Sequence, residues 1–286
     1  MPMPYQLKTM YGEGKFEDIL ELARIPEELQ GFGEWDYYYY MLAAYKLKDY
    51  ELCLNIFRKF KQLFPNSKIL NDKFGWALYH PRFKGFDKEK DDHEQYKKQL
   101  LFIVNNSSDS VYSPAWRAVR ALLNACKNGV FGNKPDYELI NQCLDSVKPE
   151  NLSDMEISVE INGKSRRQAS DRETWYFNKV KALKEVGQNE ECRHMAVKAL
   201  RSIKDFHNNS DMWIVYYASC SSYALKNYEE ARKSLQAVLN AGFEHFSVWE
   251  LLYKINREEG KTEEAIRCGA LCSLSDNNHK MRVNFY

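Results

Sequence analysis

The chain of 286 residues carries 41 basic and 40 acidic side chains, a formal net charge of +1 at pH 7. This balance excludes the broad basic field of a non-specific nucleic-acid binder. With only 13 glycines and 8 prolines, the composition also excludes collagen, disordered linkers and a turn-rich all-β fold. A hydrophobic content of 44% is enough to build a core, and the length predicts about two domains or one elongated domain. Aromatic residues reach 14%, so they are the first candidates for a binding surface.

No stretch of the sequence approaches the ~20 apolar residues of a membrane span, and residues 1–18 contain no apolar run of signal-peptide length. We therefore expect a cytoplasmic protein with no membrane partner. Seven cysteines are scattered through apolar helical contexts, which favours reduced, buried thiols over a disulfide framework. They are Cys53, Cys126, Cys143, Cys192, Cys220, Cys268 and Cys272.

Four segments of the chain resemble one another. They are GKFEDILELA from Gly14, KDYELCLNIF from Lys48, KNYEEARKSL from Lys226 and GKTEEAIRCG from Gly260. Each has a turn residue, then an aromatic residue or Thr two positions later, then a small or apolar residue three further on. The turn residues of the first pair lie 34 residues apart, as do those of the second pair. Such a period indicates a stack of helix–turn–helix units.

This period and pattern resemble the tetratricopeptide repeat (TPR), with the four segments as its second helices. Trp249 and Leu252 precede Gly260 at the spacing of the family's first helix, and Phe74-Gly75 matches its Leu-Gly pair. Pro65 stands where the family closes a unit. The resemblance implies an all-α, TPR-like α-solenoid of stacked helical hairpins.

A looser fifth unit runs from Tyr176 to Ala199 and is followed by a linker extended by five residues. In the centre of the chain the pattern degrades: Pro81 is expected to end a helix, and a charged stretch follows. Helices over 115–127 and 136–147 are then predicted to pair. The organisation we predict is N-terminal TPR-like repeats over 1–149, an insertion over 150–172, and C-terminal TPR-like repeats over 173–286.

The insertion contains an alternating run, Ile157 to Ile161, that leads directly into Asn162-Gly163. Alternation of apolar and polar residues before Asn-Gly predicts a β-hairpin. Its returning arm is basic, so we expect the hairpin on the surface of the stack. A disordered loop between repeats is the alternative.

Motifs of known enzymes are missing from the sequence. It has no glycine-rich phosphate loop, no HExxH, no GxSxG and no paired CxxC, so we expect no enzyme, no cofactor and no metal. Cys268 and Cys272 stand one helical turn apart and could offer two metal ligands, but they match the buried side of the last repeat. Core thiols are therefore the favoured interpretation.

Two charged clusters each have a structural and a functional interpretation. Residues 91–94 combine three carboxylates with His93, which could attract a cation but is better explained as the solvated face of a helix. Arg166 and Arg167 follow the predicted turn and could hold a phosphate or carboxylate, although ordinary surface charge is favoured.

In TPR folds the first helices of successive units line a concave groove, while the consensus positions pack between helices. The resemblance thus implies that Tyr37, Tyr40, Met41 and Ala44 face inward. It implies partner-binding roles for Trp35, Tyr38, Tyr39, Tyr45, Trp76, Tyr79, Asn178, Lys181, Trp213, Tyr216, Tyr217, Tyr223, Lys254 and Arg257.

Residues 35–40, WDYYYY, have aromatics on every side of one helix, more than a core seam needs. Exposed Tyr and Trp side chains suit recognition because they bury a large area at low entropic cost. The alternative is internal packing, against inserted segments or against the C-terminal residues 275–286. The lysine-and-asparagine clamp with which some family members hold a terminal carboxylate is not reproduced.

The leading hypothesis is a non-enzymatic scaffold or adaptor that binds a protein or peptide segment in an aromatic-lined groove. The alternative is a single-stranded nucleic-acid-binding repeat protein, with bases stacked on the same rings, although the net charge makes nucleic acid an unexpected partner. An unfamiliar helical hydrolase or transferase has no motif in its favour. The oligomeric state stays open.

A second resemblance concerns residues 170–183, SDRETWYFNKVKAL, together with the divergent centre. These residues resemble helical-repeat proteins encoded beside bacterial antiviral conflict systems. That resemblance implies an adaptor or sensor role among effector subunits.

Overall fold

The structure, a computed structural model, describes residues 6–25, 29–83, 92–161 and 164–275. The chain divides into two compact units. The N-terminal unit comprises residues 1–136 and 145–151, and the C-terminal unit comprises residues 137–144 and 152–286.

In the N-terminal unit each helix packs on the next one along the chain. The odd-numbered helices also pack on one another, α1 on α3, α3 on α5 and α5 on α7. The helices are α1 Gln6–Gly12, α2 Phe16–Leu22, α3 Glu34–Lys46, α4 Tyr50–Leu63, α5 Asn71–Phe83, α6 His93–Asn106 and α7 Ala115–Lys127, and a 3₁₀ turn covers Pro149–Asn151.

The C-terminal unit repeats this arrangement. From α9 to α14 each helix packs on its successor, and the first helices of the hairpins pack together, α9 on α11 and α11 on α13. The helices are α8 Tyr137–Asp145, α9 Asp171–Glu185, α10 Asn189–Ser202, α11 Ser210–Ala224, α12 Tyr228–Asn240, α13 Phe246–Glu258 and α14 Thr262–Leu274.

Helical hairpins packed in succession are the architecture of a TPR-like α-solenoid, and the predicted fold class is confirmed. The physical reason is that one hairpin cannot bury its own apolar stripe, so a neighbour has to cover it. In the described ranges, none of the helices has the length and apolar character that a membrane crossing requires.

The turns inside five of the hairpins share one backbone geometry. Each turn residue has a positive φ, namely Gly14 at 76°, Lys48 at 61°, Gly187 at 76°, Lys226 at 61° and Gly260 at 73°. The next residue donates its backbone N–H to a carbonyl five residues earlier, at 2.8–3.0 Å. This pattern ends the first helix and satisfies one of its last carbonyls.

The small or apolar residue of each second helix lies five positions after the turn residue and is buried in all five hairpins: Ile19, Cys53, Cys192, Ala231 and Ala265. The two thiols also bond to first helices, Cys53 Sγ to the carbonyl of Met41 at 3.8 Å and Cys192 Sγ to that of Val180 at 3.4 Å. Burial raises the pKa of the Cys53 thiol to about 12 and that of the Cys192 thiol to about 11, so both are neutral at physiological pH.

The core of the N-terminal unit is rich in aromatic residues. Tyr37, Met41 and Ala44 are fully buried as predicted, while Tyr40 is only partly buried. Across the α4–α5 contact Phe57 stacks on the ring of Phe74, with 3.8 Å between centroids. The rings of the WDYYYY run therefore divide between core and surface.

The expectation that Pro81 ends a helix is wrong, because α5 continues to Phe83. Proline lacks the N–H that would bond to residue 77, but its own φ is compatible with a helix, so a final turn can follow it. The other central helices form where the sequence predicts them, over 115–127 and within 136–147.

The predicted hairpin in the C-terminal unit is present. Strand β1, Ile157–Ile161, pairs antiparallel with strand β2, Lys164–Gln168, and the register sets Ile157 opposite Gln168 and Ile161 opposite Lys164. The proposed turn residues, Asn162-Gly163, lie outside the described residues. The segment is therefore paired sheet rather than a structureless loop.

Replacing Gly75 by Ala should destabilise the N-terminal unit. A Cβ at this position would lie 2.7 Å from Cγ of Pro114, a ring carbon that cannot turn aside. We expect a loss of about 1–3 kcal/mol in the free energy of unfolding, measured by urea denaturation. Gly269→Ala is the matched control, because its Cβ meets nothing closer than 3.5 Å and helical Ala is favoured over Gly by up to about 1 kcal/mol. Equal effects at both sites would contradict this account.

The positive φ of Lys48 and Lys226 predicts that Lys48→Gly and Lys226→Gly each stabilise the protein by about 0.5–1 kcal/mol. Glycine reaches this conformation without the steric cost that a Cβ carries, which outweighs its greater freedom in the unfolded chain. Lys233→Gly, at an exposed position within α12, should instead lose about 1 kcal/mol. Thermal or chemical denaturation of the three variants provides the comparison.

Candidate functional site

A row of rings runs along α3 of the N-terminal unit. Trp35 is 61% exposed, and its ring lies 5.5 Å from that of Tyr38. Tyr38 lies 5.5 Å from Tyr39, which in turn lies 5.9 Å from Tyr11 of α1. Glu34 and Asp36, in the first turn of α3, stabilise the N-terminus of the helix that carries Trp35. Trp35 is therefore an exposed ring that contacts the partly buried ring of Tyr38.

The sequence-predicted residues Tyr45, Trp76 and Tyr79 converge on a histidine that sequence reasoning missed. The His80 ring stacks on Trp76 at 5.5 Å and lies nearly parallel to Tyr50 at 6.4 Å. Tyr45 and Tyr79 each lie 5.8 Å from it. His80 follows Trp76 by one helical turn, a spacing that could have indicated the contact. We call these five residues the His80 cluster.

A second missed residue, Tyr112, belongs to the loop between α6 and α7. Its side chain is 84% exposed, and its backbone carbonyl accepts a hydrogen bond from Trp76 Nε1 at 2.9 Å. Val111 beside it is also exposed. A tyrosine in a serine-rich loop has no helical register, so the sequence held no signal for its place next to α5.

Polar contacts hold this loop in place. The Asp72 carboxylate accepts from the backbone N–H of Ser108 at 2.8 Å and from its hydroxyl at 2.5 Å. Asp109 pairs with Lys148 at 2.5 Å, and Asn151 Nδ2 donates to the Asp109 carbonyl at 2.6 Å. These hydrogen bonds and this ion pair hold the loop that carries Tyr112.

We call the following residues the N-terminal aromatic face: Trp35, Tyr38, Tyr39, Tyr45, Trp76, Tyr79 and Tyr112. They belong to α3, to α5 and to the loop that Trp76 contacts. Burial raises the pKa of the Tyr38 hydroxyl, and neighbouring Tyr39, Tyr11 and Asp72 add to the effect. Burial raises the pKa of the Tyr45 hydroxyl as well, so both hydroxyls are neutral groups that can donate hydrogen bonds at physiological pH.

In the C-terminal unit Trp213 of α11 lies among other rings. It is 5.7 Å from Tyr216, 5.3 Å from Phe243 and 4.6 Å from His245. The imidazole of His245 caps α13, because its Nδ1 accepts from the backbone N–H of Ser247 at 3.2 Å. The start of α13 and the position of Trp213 therefore depend on the same imidazole.

Tyr216 and Tyr217 fill the seams between neighbouring first helices. The Tyr217 ring lies 5.9 Å from Phe177 of α9 and is buried, whereas the sequence placed it in the groove. The Tyr216 hydroxyl is hydrogen-bonded to Cys220 and to Ser247 of α13. Burial raises the pKa of both hydroxyls well above the ordinary value. These two rings hold the helices together and offer a partner little area.

Two predicted polar residues lie on α9. Asn178 Nδ2 donates to the carbonyl of Thr174 in its own helix at 2.7 Å. Lys181 is partly exposed, and its Nζ lies 5.8 Å from the centre of the Tyr137 ring, a cation–π contact.

The remaining predicted residues lie on α11 and α13. Lys254 is exposed and pairs with Glu250 at 2.6 Å. Arg257 is exposed and stands 5.6 Å over the ring of Tyr253. Tyr223, at the end of α11, lies 5.7 Å from the ring of Tyr228. We call Trp213, Tyr216, Tyr223, Asn178, Lys181, Lys254 and Arg257 the C-terminal face.

Glu173 is a buried residue that sequence reasoning missed. Its Oε1 accepts from the backbone N–H of His207 at 2.9 Å and from the hydroxyl of Ser210. These bonds anchor the start of α11, the helix that carries Trp213. A glutamate in a first turn is expected to face solvent, so only the packed structure reveals this role.

Other residues of the 170–183 run also serve packing. Trp175 Nε1 donates to the carbonyl of Leu144 at 3.0 Å, and Tyr176 is buried. Lys179 is buried as well and donates to Oδ1 of Asn141 at 2.6 Å. The requirements of a helical stack account for these side chains.

The candidate metal ligands have structural partners. Cys268 Sγ accepts from Asn256 Nδ2 at 3.5 Å, and Cys272 Sγ bonds to the carbonyl of Phe246 at 3.5 Å. Over the described part of the chain, no three His, Cys, Asp or Glu residues gather in a way that could hold a metal ion.

The two charged clusters are placed only in part. Asp91 lies outside the described residues, whereas Asp92 is the N-cap of α6 and accepts from the backbone N–H of Glu94 at 2.9 Å. Arg167 forms an ion pair with Glu156 at 3.7 Å, and the side chain of Arg166 lies outside the described part. Helix capping and a surface ion pair are ordinary roles.

A cavity of about 260 Å³ lies between α10, α11 and α12, and its lining includes Val197, Leu200 and Val215. Arg193, also in its lining, pairs with Glu230 at 2.5 Å. The α11 residues that line it project from the helix side opposite Trp213 and Tyr216. The cavity is therefore separate from the C-terminal face.

Acidification should weaken the cap of α13. Burial lowers the pKa of His245, so the folded state favours the neutral ring, and protonation removes the acceptor at Nδ1. The pKa of His245 is lower in the folded state than in the unfolded state. Its contribution to the free energy of unfolding is therefore fully present above about pH 6.5, and it is lost as the pH falls through the lowered pKa. We expect a loss of about 1 kcal/mol, the typical contribution of a helix cap, in urea denaturation between pH 7 and pH 5.

His245→Asn is the control, since asparagine keeps a cap acceptor but does not titrate. All other residues are the same in the two proteins, so the difference in pH dependence between wild type and variant isolates His245. The rings around His245 belong to Trp213, Phe243 and Phe246, which carry no charge. Identical pH dependence in the two proteins would refute the role of the cap.

No family model and no curated protein matches this chain. Among solved structures, one described as a functional characterization of Pseudomonas aeruginosa PilF is similar over 87% of this chain and 94% of that chain, with a TM-score of 0.40 and 13% sequence identity. The resemblance of residues 170–183 to conflict-system proteins finds no support among these comparisons.

Proposed function

We propose that this protein is a non-enzymatic scaffold that binds a segment of another protein on its N-terminal aromatic face. The observation that carries the proposal is the exposure of Trp35, 61%, on a helix, and of Tyr112, 84%, on a loop whose backbone is hydrogen-bonded to α5. Large rings on an ordered backbone lose little entropy when a partner covers them, which is the property of interface hot spots. The partly buried rings of Tyr38 and Tyr39 extend the apolar surface beside Trp35.

The charges of this face favour a protein segment over single-stranded nucleic acid. Glu34 and Asp36 flank Trp35, and Asp72 and Asp109 brace the loop of Tyr112. Carboxylates beside the exposed rings would repel a phosphate backbone, whereas nucleic-acid grooves pair their stacking rings with cations. The neutral hydroxyls of Tyr38 and Tyr45 can donate to the carbonyl groups of a peptide.

The C-terminal face provides a second, smaller contact. Its rings are mostly engaged with one another, so its contribution is polar and comes from Lys181, Lys254 and Arg257. Partial pairing, as between Lys254 and Glu250, keeps the local charge modest. For a segment bound on the C-terminal face itself, these cations would select its register rather than supply most of the affinity.

An adaptor role in a bacterial defence system is a narrower form of this proposal. Its support is a sequence resemblance alone, that of residues 170–183 together with the divergent centre of the chain. Glu173, Trp175 and Lys179 of that run serve internal packing. The scaffold function can therefore be tested independently of the adaptor role.

Replacing both exposed rings, Trp35→Ala with Tyr112→Ala, should abolish most partner binding without altering the fold. Each ring is expected to contribute at least about 1.4 kcal/mol, so affinity should fall about tenfold or more per ring. The measurement is affinity capture from native extract with the intact chain, followed by titration of the captured partner. Far-UV circular dichroism should not change, because both side chains are exposed.

The matched control replaces two other exposed apolar residues of the same unit, Ile25→Ala with Leu63→Ala, and should leave capture unchanged. Capture that survives the loss of Trp35 and Tyr112 would exclude the N-terminal aromatic face as the site. Tight, salt-dependent binding of a single-stranded oligonucleotide at low ionic strength would favour the nucleic-acid alternative instead.

A further inference from the structure

The last helix of the C-terminal unit, α14, carries an apolar stripe that faces away from the core. Ile266 is 66% exposed and Leu274 is 76% exposed, with exposed Ala270 midway between them. Residues four apart lie on one side of a helix, so these three form a continuous stripe. The opposite side of α14 packs on α13 through Cys268 and Cys272.

The equivalent positions of the preceding repeats indicate which kind of partner this stripe would contact. Ile266 lies six residues after the turn residue of its unit, the position that Arg193 and Arg232 hold in the two preceding units. Both arginines reach into the unit that follows, Arg193 to Glu230 at 2.5 Å and Arg232 to Asn256 at 3.0 Å. In the last hairpin of the described ranges this linking position is apolar, so it suits an apolar partner rather than a carboxylate.

We propose that residues 276–286 of the same chain bind to this stripe. Four of the last six residues are apolar or aromatic: Met281, Val283, Phe285 and Tyr286. The segment begins two residues after Leu274. Eleven residues can span up to about 36 Å, and the 13 residues of α14 extend about 20 Å, so the segment reaches the whole stripe.

Charge complementarity supports this occupant. Lys280 and Arg282 alternate with the apolar residues of the segment. The first turn of α14 exposes Glu263 and Glu264, which form no ion pair with another residue of the described ranges. Cations that accompany the apolar side chains along α14 would meet these carboxylates near the start of the helix.

A second copy of the chain is a less suitable occupant. A stable dimer needs about 800 Å² of buried surface per partner, far more than two large side chains and one alanine supply. A tethered segment, in contrast, binds at an effective concentration in the millimolar range, so a small contact is sufficient. This inference is independent of the proposed function, which concerns the N-terminal aromatic face.

Hydrogen exchange provides the test. The full chain is compared with a chain that ends at Ser275, and exchange is followed by mass spectrometry. We expect the amides of α14 to exchange at least tenfold faster in the shortened chain, while those of α10 stay unchanged. The double substitution Met281→Ser with Phe285→Ser in the full chain should reproduce the shortening.

Ile266→Ser tests the stripe itself. It should accelerate exchange of α14 in the full chain and have no such effect in the shortened one. Val197→Ser, at an exposed apolar position of α10, is the matched control and should not depend on the segment. Equal protection of α14 in the full and shortened chains would overturn the proposal. Protection that appears only at high protein concentration would overturn it too, because a second copy would then be the occupant.

Discussion

The packing of each helical hairpin on the next is the interaction on which the rest of this structure depends. Every hairpin has an apolar stripe that it cannot bury alone, and the small residues at the centre of the stripe, such as Cys53 and Ala231, let the neighbour approach closely. The sharp turn within the hairpin, with its residue at positive φ, sets the two helices against each other. As a consequence, first helices lie side by side, and residues far apart in the chain share one surface.

The same packing divides the aromatic side chains between two roles. In the C-terminal unit Tyr216 and Tyr217 pack between α11 and the neighbouring first helices, so most of their surface is buried in contacts between helices. In the N-terminal unit the seam is filled by other rings, Tyr37 and Phe60 among them, which leaves Trp35 at the surface. The polar groups of such rings also hold neighbouring segments in place. Trp76 Nε1, for example, donates to the backbone carbonyl of Tyr112 in the loop between α6 and α7.

The hairpin of α13 and α14 is the last one in the ranges that the structure describes. Arg193 and Arg232 link their units to the next through hydrogen bonds and ion pairs. Ile266 holds the same position in α14 with an apolar side chain. The exposed side of α14 thus differs in chemistry from the internal interfaces of the C-terminal unit, and it suits an apolar segment.

The sequence by itself determined the helical hairpins, because the 34-residue period, the turn residues and the buried small residues are local patterns with one physical solution each. It determined the β-hairpin for the same reason, through alternation before Asn162-Gly163. Only the tertiary structure decided that Tyr217 is buried while Trp35 is exposed, that His80 gathers four rings, and that Tyr112 stands beside Trp76. Helical spacing assigns a side chain to a face, but what covers that face comes from distant parts of the chain.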